Sequence, residues 1–295
     1  MAARSATDQG KGLAMAVLGV LILTPDTLII RLVDIDPWTF LFWRGGLMFF
    51  GFVVLFAVRY RLGIFRQFYR IGWFGLGAAM VFTINAVCFQ LSVQNTQVAN
   101  TLVIIAMTPL FAALLSWPLL GERVARHTWV AIGICLLAVL AIFAGDLDFS
   151  GGVAARFGDL AAVMAAFGLG GFFVMTRIAK DTDFGPAVAL SGPITALIGL
   201  LVAPGLLVTP PQLQLLLVLG LAILPASFWL LTLAPRYIPA PEVSLVLLLE
   251  TLLGPLWVWL VIAEEPPFTT LVGGAVIVSV LTWHSLVALR SARQT

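Results

Sequence analysis

Three ionisable side chains stand inside long apolar runs of this chain: Asp26, Arg44 and Glu250. A charge within hydrocarbon costs roughly 3 kcal/mol or more, which makes such residues functional suspects by default. At ~1.5 Å per helical residue, Asp26 lies about 20 Å from one membrane face and Arg44 about 9 Å from the other. Across ~30 Å of hydrocarbon those depths coincide, so the two can pair, either as a gate or as a clamp for a substrate carboxylate. Glu250 falls near the midplane, where a carboxyl can bind a proton or meet a substrate ammonium group. The competing structural readings are a packing ion pair and a protonated, hydrogen-bonded acid. Neutral polar groups at comparable depths are Thr24, Thr83, Asn85, Asn100, Thr101, Thr108, Ser227 and Thr251. Each could line a substrate cavity or serve as interhelical glue. Trp43, Phe82, Phe167 and Trp229 could stack on an apolar substrate, or simply pack.

The elements that would position these residues are legible from hydropathy. The chain has 295 residues, 61% hydrophobic and 10% charged, where a soluble domain carries about 25% charged residues. Apolar runs long enough to cross a bilayer fall near 12–31, 38–58, 71–92, 98–119, 128–144, 157–176, 187–207, 212–233, 241–262 and 269–289. The expected fold is an all-α membrane protein of ten transmembrane helices in one compact bundle, because backbone in lipid must satisfy its own hydrogen bonds. No small-residue cleavage site follows the first run, which reads as a retained helix. Pro25, Pro109, Pro193, Pro225 and Pro255 lie within runs and can bend them.

Basic residues set the orientation. With the N-terminus cytoplasmic, the inner segments hold Arg4, Lys11, Arg59, Arg61, Arg66, Arg70, Arg123, Arg126, Arg177, Lys180, Arg236, Arg290 and Arg293, thirteen of the sixteen. Only Arg31 and Arg156 fall outside, opposite Asp34, Asp36, Asp146, Asp148, Glu264 and Glu265. Both termini are therefore expected in the cytoplasm. Cys88 and Cys135 fall inside runs and read as packing residues, and His284 has no partner at metal-ligand spacing. No GxxxxGK[ST], HExxH or GxSxG occurs, which argues against ATP use, hydrolytic chemistry and an intramembrane enzyme. No metal, cofactor or nucleic-acid partner is expected.

The two halves of the sequence match weakly. An offset of 142 places Asn85 on Ser227, Thr108 on Glu250, Glu122 on Glu264 and Ala131 on Gly273, and an offset of 146 places Gly12 on Gly158 and Arg31 on Arg177. Five runs per half is an odd number, so the second half, 146–295, would enter from the side opposite to the first, 1–145. This is a 5+5 inverted-topology repeat of the kind common in secondary transporters.

Pro109, Gly121-Glu122 and Ala131, with Pro255, Ala263-Glu264 and Gly273 in the second copy and Arg44 early in the second run, resemble the drug/metabolite transporter superfamily in its EamA-type branch. Within that branch the likeness is greatest to aromatic amino-acid exporters. The resemblance implies a multi-pass protein of the bacterial inner membrane, a monomer or weak dimer surrounded by lipid, exporting small metabolites by alternating access. Neutral or aromatic amino acids are the implied substrates. The alternative is a nucleotide-sugar or drug carrier of the same fold. Two departures stand out: Ala263 where glycine is expected, and Thr24-Pro25-Asp26 where the second half has Gly170-Gly171-Phe172.

Overall fold

The computed structural model describes residues 6–61, 64–144, 152–263 and 268–294. Arg4, Asp146, Asp148, Glu264 and Glu265 lie outside these residues. All ten spans are present as helices: Thr7–Val33, Pro37–Tyr60, Gly72–Asn95, Asn100–Leu120, Arg126–Phe143, Val153–Ile178, Gly185–Val202, Pro210–Arg236, Ala240–Ile262 and Phe268–Arg290. They are numbered one to ten below. Span seven ends five residues before the sequence suggested, because Pro204 and Gly205 follow it. The end of the bundle holding Lys11, Arg61, Arg66 and Arg126 is called the basic end.

Local chemistry sets the span boundaries. Asp36 caps span two: its Oδ2 accepts the backbone N–H groups of Trp38 (3.0 Å) and Thr39 (2.9 Å), and Pro37 takes the first helical position, where no N–H is needed. At the start of span eight, Gln212 Oε1 accepts the N–H of Thr209 (2.8 Å), while its Nε2 donates to the Val33 carbonyl that ends span one (2.8 Å). The two spans are thereby tied at the end opposite the basic one.

The sequence offset of 142 reappears in the backbone. Span four begins with the helix Val98–Ile105 and span nine with Ala240–Leu247. Each then breaks, at Ala106–Met107 and at Leu248, before the next helix starts. Each closes on a left-handed residue, Gly121 (φ 64°) and Ala263 (φ 60°), whose N–H donates 2.9 Å to the carbonyl of Trp117 or Trp259. Packing follows the same symmetry. Span two lies against seven, five against ten and four against nine, while three packs on six as one packs on eight. This is the pairing expected of five-helix halves related by a pseudo-two-fold axis.

Spans two and seven meet almost backbone to backbone. A Cβ at Gly45 would sit 2.7 Å from the Gly192 carbonyl oxygen, and one at Gly192 would sit 2.5 Å from that of Gly45. Only glycine permits this approach.

Two spans break the symmetry, both because of proline. Span one splits at Thr24 into Ala6–Leu23 and Pro25–Val33, whereas span six runs unbroken over Val153–Ile178. Pro25 cannot donate to the Leu21 carbonyl, and Thr24 Oγ1 does so instead at 2.9 Å. The same device serves Pro109, where Thr108 Oγ1 donates to the Ile105 carbonyl at 2.6 Å. In span eight a π-helical turn, Leu219–Ile223, precedes Pro225, while the corresponding span three is regular over Gly72–Asn95.

The left-handed caps give a paired test. Ala263→Gly should raise stability by roughly 1 kcal/mol, and Gly121→Ala should lower it by about as much, since only glycine takes φ near +60° without cost. A Cβ at Gly121 would meet nothing within 4 Å, so the effect there is one of backbone alone. Thermal unfolding of purified variants reads both, and opposite signs are required.

Candidate functional site

The break in span one carries the first charged group into the bundle. Asp26 follows Pro25, is 4% exposed, and accepts a 2.7 Å hydrogen bond from Arg44 Nη2 of span two. The pair that the residue depths suggested is therefore formed. The Arg44 side chain is 26% exposed, so one partner is sealed and the other faces open space. Two buried atoms of the pair, Asp26 Oδ1 and Arg44 Nε, have no partner. A carboxylate oxygen and a guanidinium N–H left in this way are the strongest unused acceptor and donor this environment can offer.

Glu250 reaches the same region from the break in span nine. The helix resumes at Leu249, so Glu250 sits in a first turn, where a negative charge is favoured. One turn on, Gly254 packs against the Thr27 side chain, and Trp257 Nε1 donates to Thr24 Oγ1 at 2.9 Å. These contacts hold the helix that Glu250 begins against Pro25–Val33, the half of span one that carries Asp26. Glu250 itself is half-buried. The Asp26–Arg44 pair of spans one and two thus has a second carboxyl group, Glu250, on the span packed beside Asp26, with a formal balance of one negative charge. A small cleft adjoins Arg44, lined by Leu41, Met48, Phe82, Ser191, Thr195 and Phe228 among others. Its lining comes from spans two, three, seven and eight.

The basic end is tied by a different network. Arg177, at the close of span six and 5% exposed, donates to Glu122 Oε1 through Nη2 (2.8 Å) and Nε (3.2 Å). Its Nη1 donates to the carbonyls of Pro235 (2.7 Å) and Arg236 (3.0 Å). One guanidinium therefore joins the turn after span four to the end of span eight. Nearby, Asp183 accepts from Tyr60 Oη (2.6 Å), Trp229 Nε1 (3.1 Å) and the Gly185 N–H (2.9 Å).

Of the expected site residues, the structure gathers Thr24, Asp26, Arg44 and Glu250. Thr251 is the next residue along and half-buried. Asn85 and Ser227 sit at corresponding helix contacts: a Cβ at Gly168 would lie 3.4 Å from Asn85 Cβ, and one at Gly19 3.1 Å from the Ser227 carbonyl oxygen. The Ser227 hydroxyl is buried without a partner. Five residues go elsewhere. Asn100 donates to Thr96 and Asp159 (both 3.4 Å), and Thr101 pairs with Ser92 at 2.7 Å, so both knit the turn between spans three and four. The Thr108 hydroxyl proton is committed to the Ile105 carbonyl. Trp229, expected at depth, is drawn to the basic end by Asp183 and lies 5.6 Å beneath the Arg59 guanidinium. Phe167 is 44% exposed on one helical face with Leu160 and Met164, an apolar stripe suited to lipid, and it meets Phe111 edge-on at 5.7 Å. His284 packs as expected, 3.1 Å from Thr128 Oγ1. Sequence reasoning missed Trp257, which looked like one aromatic among many, and the Arg177 network, whose arginine read only as a marker of orientation.

The ion pair makes a stability prediction. Arg44→Met strands the buried Asp26 carboxylate and should cost roughly 3 kcal/mol, the low end for a buried pair because Arg44 is partly solvated. The double variant Asp26→Asn, Arg44→Met should recover most of that loss. Chemical unfolding of the two purified proteins measures it, and equal stability of the single and double variants would show that the carboxylate is not stranded.

Residues 10–144 match the EamA-like transporter family. A search of curated protein sequences finds no match. Solved structures do match, among them a chain titled "Crystal structure of protein", similar over 96% of this chain and 99% of its own at 15% identity, with a TM-score of 0.75. Likeness at that identity is likeness of fold. With ten apolar helical spans, the chain is a multi-pass membrane protein, and its residues 10–144 are similar to the EamA-like transporter family.

Proposed function

We propose that this protein is a secondary transporter that exports small amphiphilic metabolites, neutral and aromatic amino acids in particular, by alternating access between its halves 1–145 and 146–295. The observation that carries the reading is the incomplete ion pair. A zwitterion supplies what Asp26 and Arg44 lack: its carboxylate accepts from the guanidinium, and its ammonium group meets the Asp26 and Glu250 carboxyls. The residues beside Arg44, Phe82 and Phe228 among them, are apolar in the way an aromatic or aliphatic side chain would require. A phosphate-bearing substrate such as a nucleotide sugar would instead bring negative charge to a cluster that is already formally negative. The Arg177 network ties the basic end together, and Arg44 and Glu250 of the ion cluster are both only half-buried. The proposed setting is a bacterial inner membrane with both termini cytoplasmic.

Counterflow on purified protein in liposomes tests the substrate class. Neutral aromatic amino acids should exchange, and nucleotide sugars should not; exchange of nucleotide sugars alone would overturn the reading. Glu250→Gln keeps shape and hydrogen bonding but removes the charge, so it should change the pH dependence of uptake between pH ~5.5 and ~8. Superimposable wild-type and variant curves would remove Glu250 from the mechanism.

Orientation has its own test. Cysteine introduced at Ile64 should resist, and at Val208 accept, a membrane-impermeant thiol reagent added outside the cell. Background is low, because Cys135 is buried and Cys88 half-buried within their spans. The reverse pattern would invert the proposed topology.

A further inference from the structure

Between spans two and three the chain carries an unbalanced charge. Arg59, Arg61, Arg66 and Arg70 are all exposed, and no Asp or Glu occurs from Pro37 to Gly121. The short helix Ile64–Arg70 organises this segment. Its Phe68 packs edge-on against Phe56 of the core at 6.2 Å, which fixes the helix to the bundle by one face. Arg66, Tyr69 and Arg70 share another face at spacings of three and four residues, and that face is open: Tyr69 is 88% exposed. Buried Ile71 and left-handed Gly72 (φ 53°) then turn the chain into span three, whose first aromatic residue, Trp73, is also 88% exposed.

We infer that Arg66, Tyr69, Arg70 and Trp73 form a binding site for the headgroup of an anionic phospholipid at the basic end of the bundle. The juxtaposition is specific in three respects. Two arginines one helical turn apart stand about 5–6 Å apart at their Cβ atoms, close enough for both guanidinium forks to reach one phosphodiester. Tyr and Trp beside them are the side chains that favour the headgroup layer, each with an apolar ring and a polar hydrogen. The position is also right: span two ends at Tyr60 and span three starts at Gly72, so the helix lies where hydrocarbon gives way to headgroups. Competing acids nearby are few. Asp183 is turned inward to Tyr60, Trp229 and Gly185, and exposed Asp181 lies in the turn before it. Arg59 is held over Trp229, which leaves Arg61 as a supporting charge.

The test is intact-complex mass spectrometry of the full-length protein in detergent, titrated with phosphatidylglycerol or phosphatidylcholine of the same chains. The wild type should retain phosphatidylglycerol in preference. Each of Arg66→Gln and Arg70→Gln should weaken phosphatidylglycerol about five-fold, the contribution of one surface arginine facing an anionic membrane. Phosphatidylcholine should be unaffected. Arg66→Lys should fall between, since it keeps the charge and loses the fork. Arg156→Gln, exposed at the opposite end, should behave as wild type. Equal retention of the two lipids by wild-type protein would overturn the proposal without reference to any variant. So would unchanged phosphatidylglycerol affinity in the double variant R66Q/R70Q.

Discussion

Inside hydrocarbon there is no water to receive an unpaired polar group, and this constraint governs the details of the fold. Each proline within a span frees a carbonyl one turn back. At Pro25 and Pro109 the preceding threonine hydroxyl takes the place of the missing N–H. A hydroxyl on a short side chain is a compact answer, since it needs no second helix. It also lets the break occur where the chain requires it. In span one that break delivers Asp26 to Arg44. In span nine the break before Leu249 sets Glu250 on the helix packed beside Asp26. The candidate site thus follows from the way two interrupted helices keep their backbones satisfied.

The same constraint explains what is left over. Most buried polar side chains here are spent on structure: Thr101 on Ser92, Thr108 on Ile105, Asp183 on three donors. Against that background the open valences of Asp26 Oδ1 and Arg44 Nε are conspicuous, because they sit on two charged groups within spans, whose desolvation is costly; a third, Arg236 Nε, lies at the basic end. Ser227 is the neutral counterpart, a lone hydroxyl in a tight helix contact, where an unmet donor costs much less.

Much of this was legible in the sequence. The ten spans needed only length and apolarity, and the Asp26–Arg44 pair needed only residue depth. The 142-residue offset was visible as scattered identities and became a shared break and a shared left-handed cap. Ala263 shows why the repeat read weakly: backbone geometry persisted where the residue that best fits it did not. Depth alone failed for Trp229. Its indole N–H is drawn to Asp183, an acid on the turn between spans six and seven. It failed also for Asn100 and Thr101, because a polar residue one turn from a helix start has a neighbouring turn to bond. Arg177 was mistaken for a topological marker because its acceptors include main-chain carbonyls, which have no signature in a sequence.

The contact of Gly45 with Gly192 has a consequence for how this protein must be dissected genetically. Alanine replacement is ordinarily a subtraction, trimming a side chain to reveal what it did. At these two positions it is an addition, pushing a methyl group into the opposite backbone. A survey by alanine would therefore score the centre of the bundle among its most damaging positions although no side chain acts there. What such a survey would register is two backbones in direct contact, a fit that depends on what is missing from each. Any change in the angle between spans two and seven would turn on that backbone contact and would have to move Phe49 and Thr195, which pack at its edges.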